Sequence, residues 1–136
     1  MIKILILGSN SFAGSCLVDY LLNKNFHVFG ISRSKENNIK YKKNKKIKNF
    51  RFIRADLNKD IIKIEKIINK NKFRLIIDFL GQGMVAESWD NADHWFKTNV
   101  YNKVKFIDIL SKKNFLKKYI RISTPEVYGT SKYKIK

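Results

Sequence analysis

Apolar and polar positions follow two different periods along this chain, and the places where the period changes mark out its elements. Ile2 to Leu7 is a short, nearly continuous apolar run, the pattern of a strand buried on both faces. From Phe12 to Asn23 the spacing turns helical and predicts a core-facing stripe of Phe12, Cys16, Leu17, Tyr20 and Leu21. Phe26 to Ile31 reads as a second strand and Phe50 to Ile53 as a short third. Ile61 to Ile68 predicts a helix with Ile61, Ile64 and Ile68 inward and Lys63, Glu65 and Lys66 outward. Leu75 to Leu80 is a fourth buried strand. Asp90 to Leu110 predicts one long helix, apolar at Trp95, Val100, Val104, Phe106 and Ile107, and Tyr119 to Ser123 a fifth strand.

Buried strands separated by helices pair in parallel through right-handed crossovers. The predicted fold is therefore α/β, a doubly wound, Rossmann-like sheet of about five strands in the order 3-2-1-4-5. A full dinucleotide fold adds a sixth strand. The expectation is one domain over residues 1–136, incomplete at the C-terminus and cut short before a substrate domain. Its fifth strand would offer an open edge, so self-association is expected.

Composition narrows the class. The chain has 136 residues, 44% of them hydrophobic, enough for one packed core and too many for a disordered chain. A single cysteine, Cys16, excludes an internal disulfide framework and suits a reducing cytoplasm. No apolar stretch is long enough for a membrane span, and the opening run is too short for a secretory leader. The net charge of +18 raises a polyanion partner. The lysines are spread over most of the chain, however, and only Lys35 to Lys48 is crowded, which argues for a solvated basic surface over a nucleic-acid site. No metal site is expected. His27 and His94 lack ligand spacing, and Glu87, Asp90 and Asp93 resemble a helix N-terminal cluster. Cys16 reads as a small core residue, and Trp89 and Trp95 as packing residues.

The chemistry begins where the first strand meets the first helix. A diphosphate approaches backbone only where side chains do not intrude, and a helix N-terminus offers N–H donors and a positive dipole end. The stretch Gly8-Ser9-Asn10-Ser11-Phe12-Ala13-Gly14 supplies glycine at its first and last positions and the small Ser11 between them. Ser11 is placed to cap the helix or to donate to a phosphate. A tight turn without a ligand is the competing reading, but the strand-before, helix-after context is what the motif requires.

Four stretches together resemble the extended short-chain dehydrogenases. They are Ile4 to Gly14, Arg54-Ala55-Asp56-Leu57, Phe79-Leu80-Gly81-Gln82 with Thr98-Asn99-Val100, and Ile122-Ser123-Thr124-Pro125-Glu126-Val127-Tyr128-Gly129. The last is the most specific and is similar to the nucleotide-sugar epimerases and dehydratases of that family. The resemblance implies cofactor contacts at Gly8, Ser11, Phe12, Ala13 and Gly14. It gives Asp56 the adenine amino group and Leu57 the ring face, and places Phe79, Leu80 and Gly81 along the ribose and nicotinamide. Thr98 and Asn99 stand where the family supports the cofactor. Thr124 would hydrogen-bond the sugar 4-hydroxyl, and Glu126 would take the C5 proton during loss of water. The implied protein is cytoplasmic, with a nucleotide-sugar substrate, no membrane and, at full length, a homodimeric state.

Two departures qualify the resemblance. Pro125 stands where one dehydratase subclass keeps an acidic residue, and Gly83-Met84 replaces the family's Ser-His. The second strand ends in Ser32-Arg33-Ser34 with no acid for a ribose hydroxyl, and Arg33 suits a 2′-phosphate. NADP is thus the expected cofactor, with NAD the alternative. The family's catalytic tyrosine and lysine are expected beyond this chain. Tyr128-Gly129-Thr130-Ser131-Lys132 has their spacing, but glycine and threonine there are poor helix formers. The reading is a cofactor-binding part of a nucleotide-sugar 4,6-dehydratase-like enzyme, with a 4-epimerase, a non-catalytic dinucleotide-binding fragment or a polyanion-binding domain as alternatives.

Overall fold

The computed structural model describes residues 2–36 and 41–130, apart from the side chains of residues 125 and 126. Five strands form one parallel sheet: β1 (Lys3–Leu7), β2 (His27–Ser32), β3 (Phe50–Arg54), β4 (Leu75–Asp78) and β5 (Lys118–Arg121). Their order is β3-β2-β1-β4-β5, as the sequence predicts. Ile4 pairs with Val28 on one side and Leu75 on the other, so β1 is central and buried on both faces. The observed strands differ from the predicted ones by one or two residues at their ends.

The alternation of side chains across the sheet divides the core in two. Ile4, Ile6 and Val28 point toward α1 (Phe12–Asn23) and pack with Val18, Leu21, Leu22 and Tyr41. Leu5, Leu7, Ile31 and Ile76 point the other way, against α2 (Ile61–Asn71) and a long helical segment after β4. On α2 the predicted inward residues Ile64 and Ile68 are fully buried, each contributing about 1.5–3 kcal/mol. Ile61 is half-buried.

Two helical predictions are corrected. The α1 stripe turns out to be rotated: Gly14, Ser15, Val18, Leu21 and Leu22 are buried, whereas Phe12 is 77% exposed and Cys16 and Tyr20 face solvent. The first turn of α1 carries Gly14 and Ser15 on the side nearest the sheet, small enough to let the helix approach. The long helical run spans residues 92–111, close to its predicted bounds, but its inward face differs from the predicted one and it is not regular throughout. A short α3 (Val85–Asp90) stops before Asn91, and a second segment runs as α4 (Ala92–Phe96), a π-helical turn (Lys97–Tyr101) and α5 (Asn102–Ser111). Phe106 and Leu110 are buried beneath it, while Val100, Val104 and Ile107 are exposed. Trp89 does not pack either, being 83% exposed. No helix among the described residues is long and apolar enough to cross a membrane.

Candidate functional site

The carboxyl ends of β1 and β4 lie side by side while their following helices leave on opposite faces of the sheet. That divergence opens a crevice above the strands, where ligands of such sheets bind. Gly8 leaves β1 at φ 77° and donates its N–H to the Ile31 carbonyl at 2.7 Å. Ser11 Oγ accepts from the Gly14 N–H at 3.1 Å, so Ser11 is the helix cap. At Gly14 an added Cβ would lie 2.3 Å from the Gly8 carbonyl oxygen, so only glycine closes the loop this tightly. The first turn of α1 holds no acidic residue to oppose an anion at its end. Phe12 and Ala13 stand exposed on that turn.

The loop is tied to the end of β2. Asn10 donates its backbone N–H to Ser32 Oγ at 3.0 Å and its side-chain amide to Ser34 Oγ at 2.8 Å. Ser32 is nearly buried, its hydroxyl 3.4 Å from that of Ser9. It therefore braces the loop before it serves any ligand. Arg33 is exposed at the rim of the crevice, and its carbonyl accepts from Arg54 Nε.

The far wall follows β3. Asp56 Oδ1 accepts from the Asn58 N–H, and the Asp56 N–H donates to Asp60 Oδ2, both at 2.8 Å. Leu57 joins the core on the α2 side and lines the crevice with its edge. Asn58 donates to Thr98 Oγ1 and accepts from Asn102 Nδ2, each at 2.8 Å. Asn99 grips the backbone of Gln82 twice at 2.9 Å, accepting from its N–H and donating to its carbonyl. Thr98 and Asn99 on the π-helical turn and Asn102 at the start of α5 thus bear on two crevice loops at once. Asn58, Gln82 and Asn102 were not legible as site residues in the sequence.

A second polar centre, also missed there, sits beneath the β4 exit. Asp78 is fully buried; its Oδ1 accepts from the Leu80 N–H at 2.7 Å and its Oδ2 from the Tyr119 hydroxyl at 2.6 Å. Oδ2 also contacts Lys103 Nζ directly and Arg121 Nη1 at 3.5 Å. Burial pushes the Lys103 ammonium below its usual range, opposed by the Asp78 charge. Burial, reinforced by Asp78, pushes the Tyr119 phenol well above its usual range.

Two adjoining spaces result. The first, about 300 Å³, brings together Ser11, Ser32, Arg33, Asp56, Leu57, Leu80, Gly81 and Thr98. The second, about 680 Å³, is lined by Phe79, Leu80, Gly81, Asn99, Arg121 and Thr124 among others. The side chain of Glu126 lies outside the described residues, as does Lys132. Tyr128 ends a short 3-10 turn (Pro125–Tyr128) and Gly129 follows at φ 62°, so no helix runs on from Tyr128. Among the described residues no cluster of three or more His, Cys, Asp or Glu is arranged to hold a metal.

The profile of the GDP-mannose 4,6 dehydratase family matches residues 5–135 of this chain. The chain belongs to the nucleotide-sugar epimerase/dehydratase family of extended short-chain dehydrogenases. Among relatives, the UDP-glucose 4-epimerase of Pisum sativum is 32% identical over 135 residues, covering 93% of this chain and 38% of that protein. A probable dTDP-glucose 4,6-dehydratase of Sinorhizobium fredii is 28% identical over 139 residues, covering 94% and 39%. The UDP-Glc/GlcNAc 4-epimerase structure from Campylobacter jejuni superposes with a TM-score of 0.82 at 25% identity, over 98% of this chain and 40% of that one. The Bifidobacterium longum UDP-glucose 4-epimerase, solved with NAD+ and UDP, shares the fold with a TM-score of 0.76 at 23% identity, over 96% and 39%. This family member thus spans about 40% of the length of the relatives it matches.

Proposed function

We propose that this chain binds NADP, or NAD, as the cofactor-binding part of a nucleotide-sugar 4,6-dehydratase-like enzyme. The observation that carries the reading is the close approach of Gly14 to the Gly8 carbonyl, which folds the loop after β1 tightly enough to present the N-terminus of α1, with no acid in its first turn, to a diphosphate. The residues around it fit the group. Gly8, Ser11, Phe12, Ala13 and Gly14 would hold the diphosphate, Asp56 and Leu57 the adenine, and Phe79, Leu80 and Gly81 the nicotinamide end. Thr98 and Asn99 hold the loops that frame this space. When bound, the cofactor supplies hydride acceptance and return. Thr124 would hydrogen-bond the sugar hydroxyl and Glu126 would act as base.

Arg33 at the crevice rim, with no acid at the end of β2, supports NADP over NAD. Calorimetric titration tests this. Arg33→Ala is expected to weaken NADP by about 1.5–3 kcal/mol and leave NAD unchanged. Equal affinities for the two cofactors, unaltered by the substitution, would refute the role of Arg33. The 4-epimerase reading is favoured by one observation, Pro125 in place of an acid beside Thr124, and needs no base at Glu126. The exposed Val100, Val104 and Ile107 on the helical segment fit a homodimer. Light scattering that shows only monomer would contradict that part.

A further inference from the structure

We propose that Arg121 is the anchor of an oxyanion site in the second space, one that takes a carboxylate or phosphate carried by a sugar. The inference rests on the proposed reading of that space as the sugar end of the site, because Arg121 and Thr124 line it together.

One buried carboxylate, that of Asp78, faces two cations, and the nearly buried Lys103 makes the closer contact. Oδ1 is already committed to the Leu80 N–H, and Oδ2 is shared with the Tyr119 hydroxyl. Arg121 Nη1 reaches the same oxygen only at 3.5 Å and leans on the Leu80 carbonyl at 3.3 Å. Its guanidinium is thus held in place while it shares a single carboxylate with Lys103 and the Tyr119 hydroxyl. The Arg121 side chain keeps 31% of its surface accessible, and among the described residues no carboxylate lines the space it borders. A guanidinium has five donors in a rigid fork, matched to a planar oxyanion, and one nitrogen accounts for both of these contacts. Partial burial strengthens such pairing because water competes less. Room is present as well, since nothing lies within 4 Å of a Cβ built on Gly83 in the same lining.

The test is a titration of the ¹⁵N-labelled chain with glucuronate, inorganic phosphate and, as neutral control, glucose, at constant ionic strength. The readout is the Arg121 Nε–H resonance. Glucuronate or phosphate should shift it saturably and glucose should not; the tighter of the two anions distinguishes a carboxylate-bearing from a phosphate-bearing sugar. Arg121→Gln should weaken the response of the neighbouring Gly81 and Gly83 amides about tenfold or more, because it removes a charge-assisted pair. No saturable shift in the wild-type protein overturns the proposal, whatever the variant does. So does an equal shift at the exposed Arg33, which would mark general screening. NADP titrated into the same sample separates the two readings. Cofactor binding without an anion response sinks the Arg121 site alone, and an anion response without cofactor binding sinks the cofactor proposal alone.

Discussion

Removing the Asp78 carboxylate by Asp78→Ala should be among the most damaging single changes available to this domain. The Lys103 side chain is only 4% exposed and the Asp78 side chain not at all. Breaking such a pair from one side strands a buried ammonium, at a cost of about 3–5 kcal/mol. The Leu80 N–H and Tyr119 hydroxyl lose their acceptor in the same stroke, adding about 1–3 kcal/mol for the more buried of them. Domains of this size are stable by only about 5–15 kcal/mol in total. With a urea dependence of about 1–3 kcal/mol/M, the unfolding midpoint followed by circular dichroism should fall by at least about 1 M, or the cooperative transition should vanish. Lys103→Met should cost less than half as much, because Tyr119, Arg121 and the Leu80 N–H still hold the carboxylate. Combining Asp78→Leu with Lys103→Met should recover much of the loss, since an apolar pair replaces a buried ion pair at little expense. A midpoint for Asp78→Ala equal to wild type, or a double variant costing the sum of the singles, would refute the reasoning.

Further outcomes follow from the same contacts. Gly14→Ala forces a Cβ to 2.3 Å from the Gly8 oxygen and 2.8 Å from Ser11 Oγ. It should cost about 1–3 kcal/mol in thermal melting and abolish calorimetric binding of NADP and NAD together. The Tyr119 phenol is held above its ordinary 10.0, so the stability it contributes is whole below pH 10 and is lost as pH rises through the folded-state value. Phenolate absorbance should show one late-titrating tyrosine that Tyr119→Phe removes. Asn99→Leu leaves the Gln82 N–H and carbonyl without partners, and limited proteolysis should then cut near Gly83 faster than in wild type.

The sheet was legible in the sequence because a parallel strand buried on both faces announces itself as an apolar run, and each of the five runs became a strand in the predicted order. The tight turn from β1 into α1 was legible because its glycines answer a steric demand that other residues meet only with strain. Helix faces were harder. On α1 the large apolar Phe12 and Tyr20 point outward, at 77% and 57% exposure, since close approach to the sheet favours Gly14 and Ser15. The π-helical turn that carries Thr98 and Asn99 has no signature in hydrophobic period. The Asp78 centre is the instructive omission, because reading residues 75–80 as an unbroken apolar strand passed over one acid inside it. A carboxylate in a fully buried run must have partners, and a core-facing position of the covering helix is one place that can supply one. Lys97, Lys105 and Lys112 do not stand at such a position, being exposed. Lys103 does, three and seven positions before the buried Phe106 and Leu110 and so on their face of the helix. Helical spacing applied to charges, in addition to apolar residues, therefore selects the observed pair.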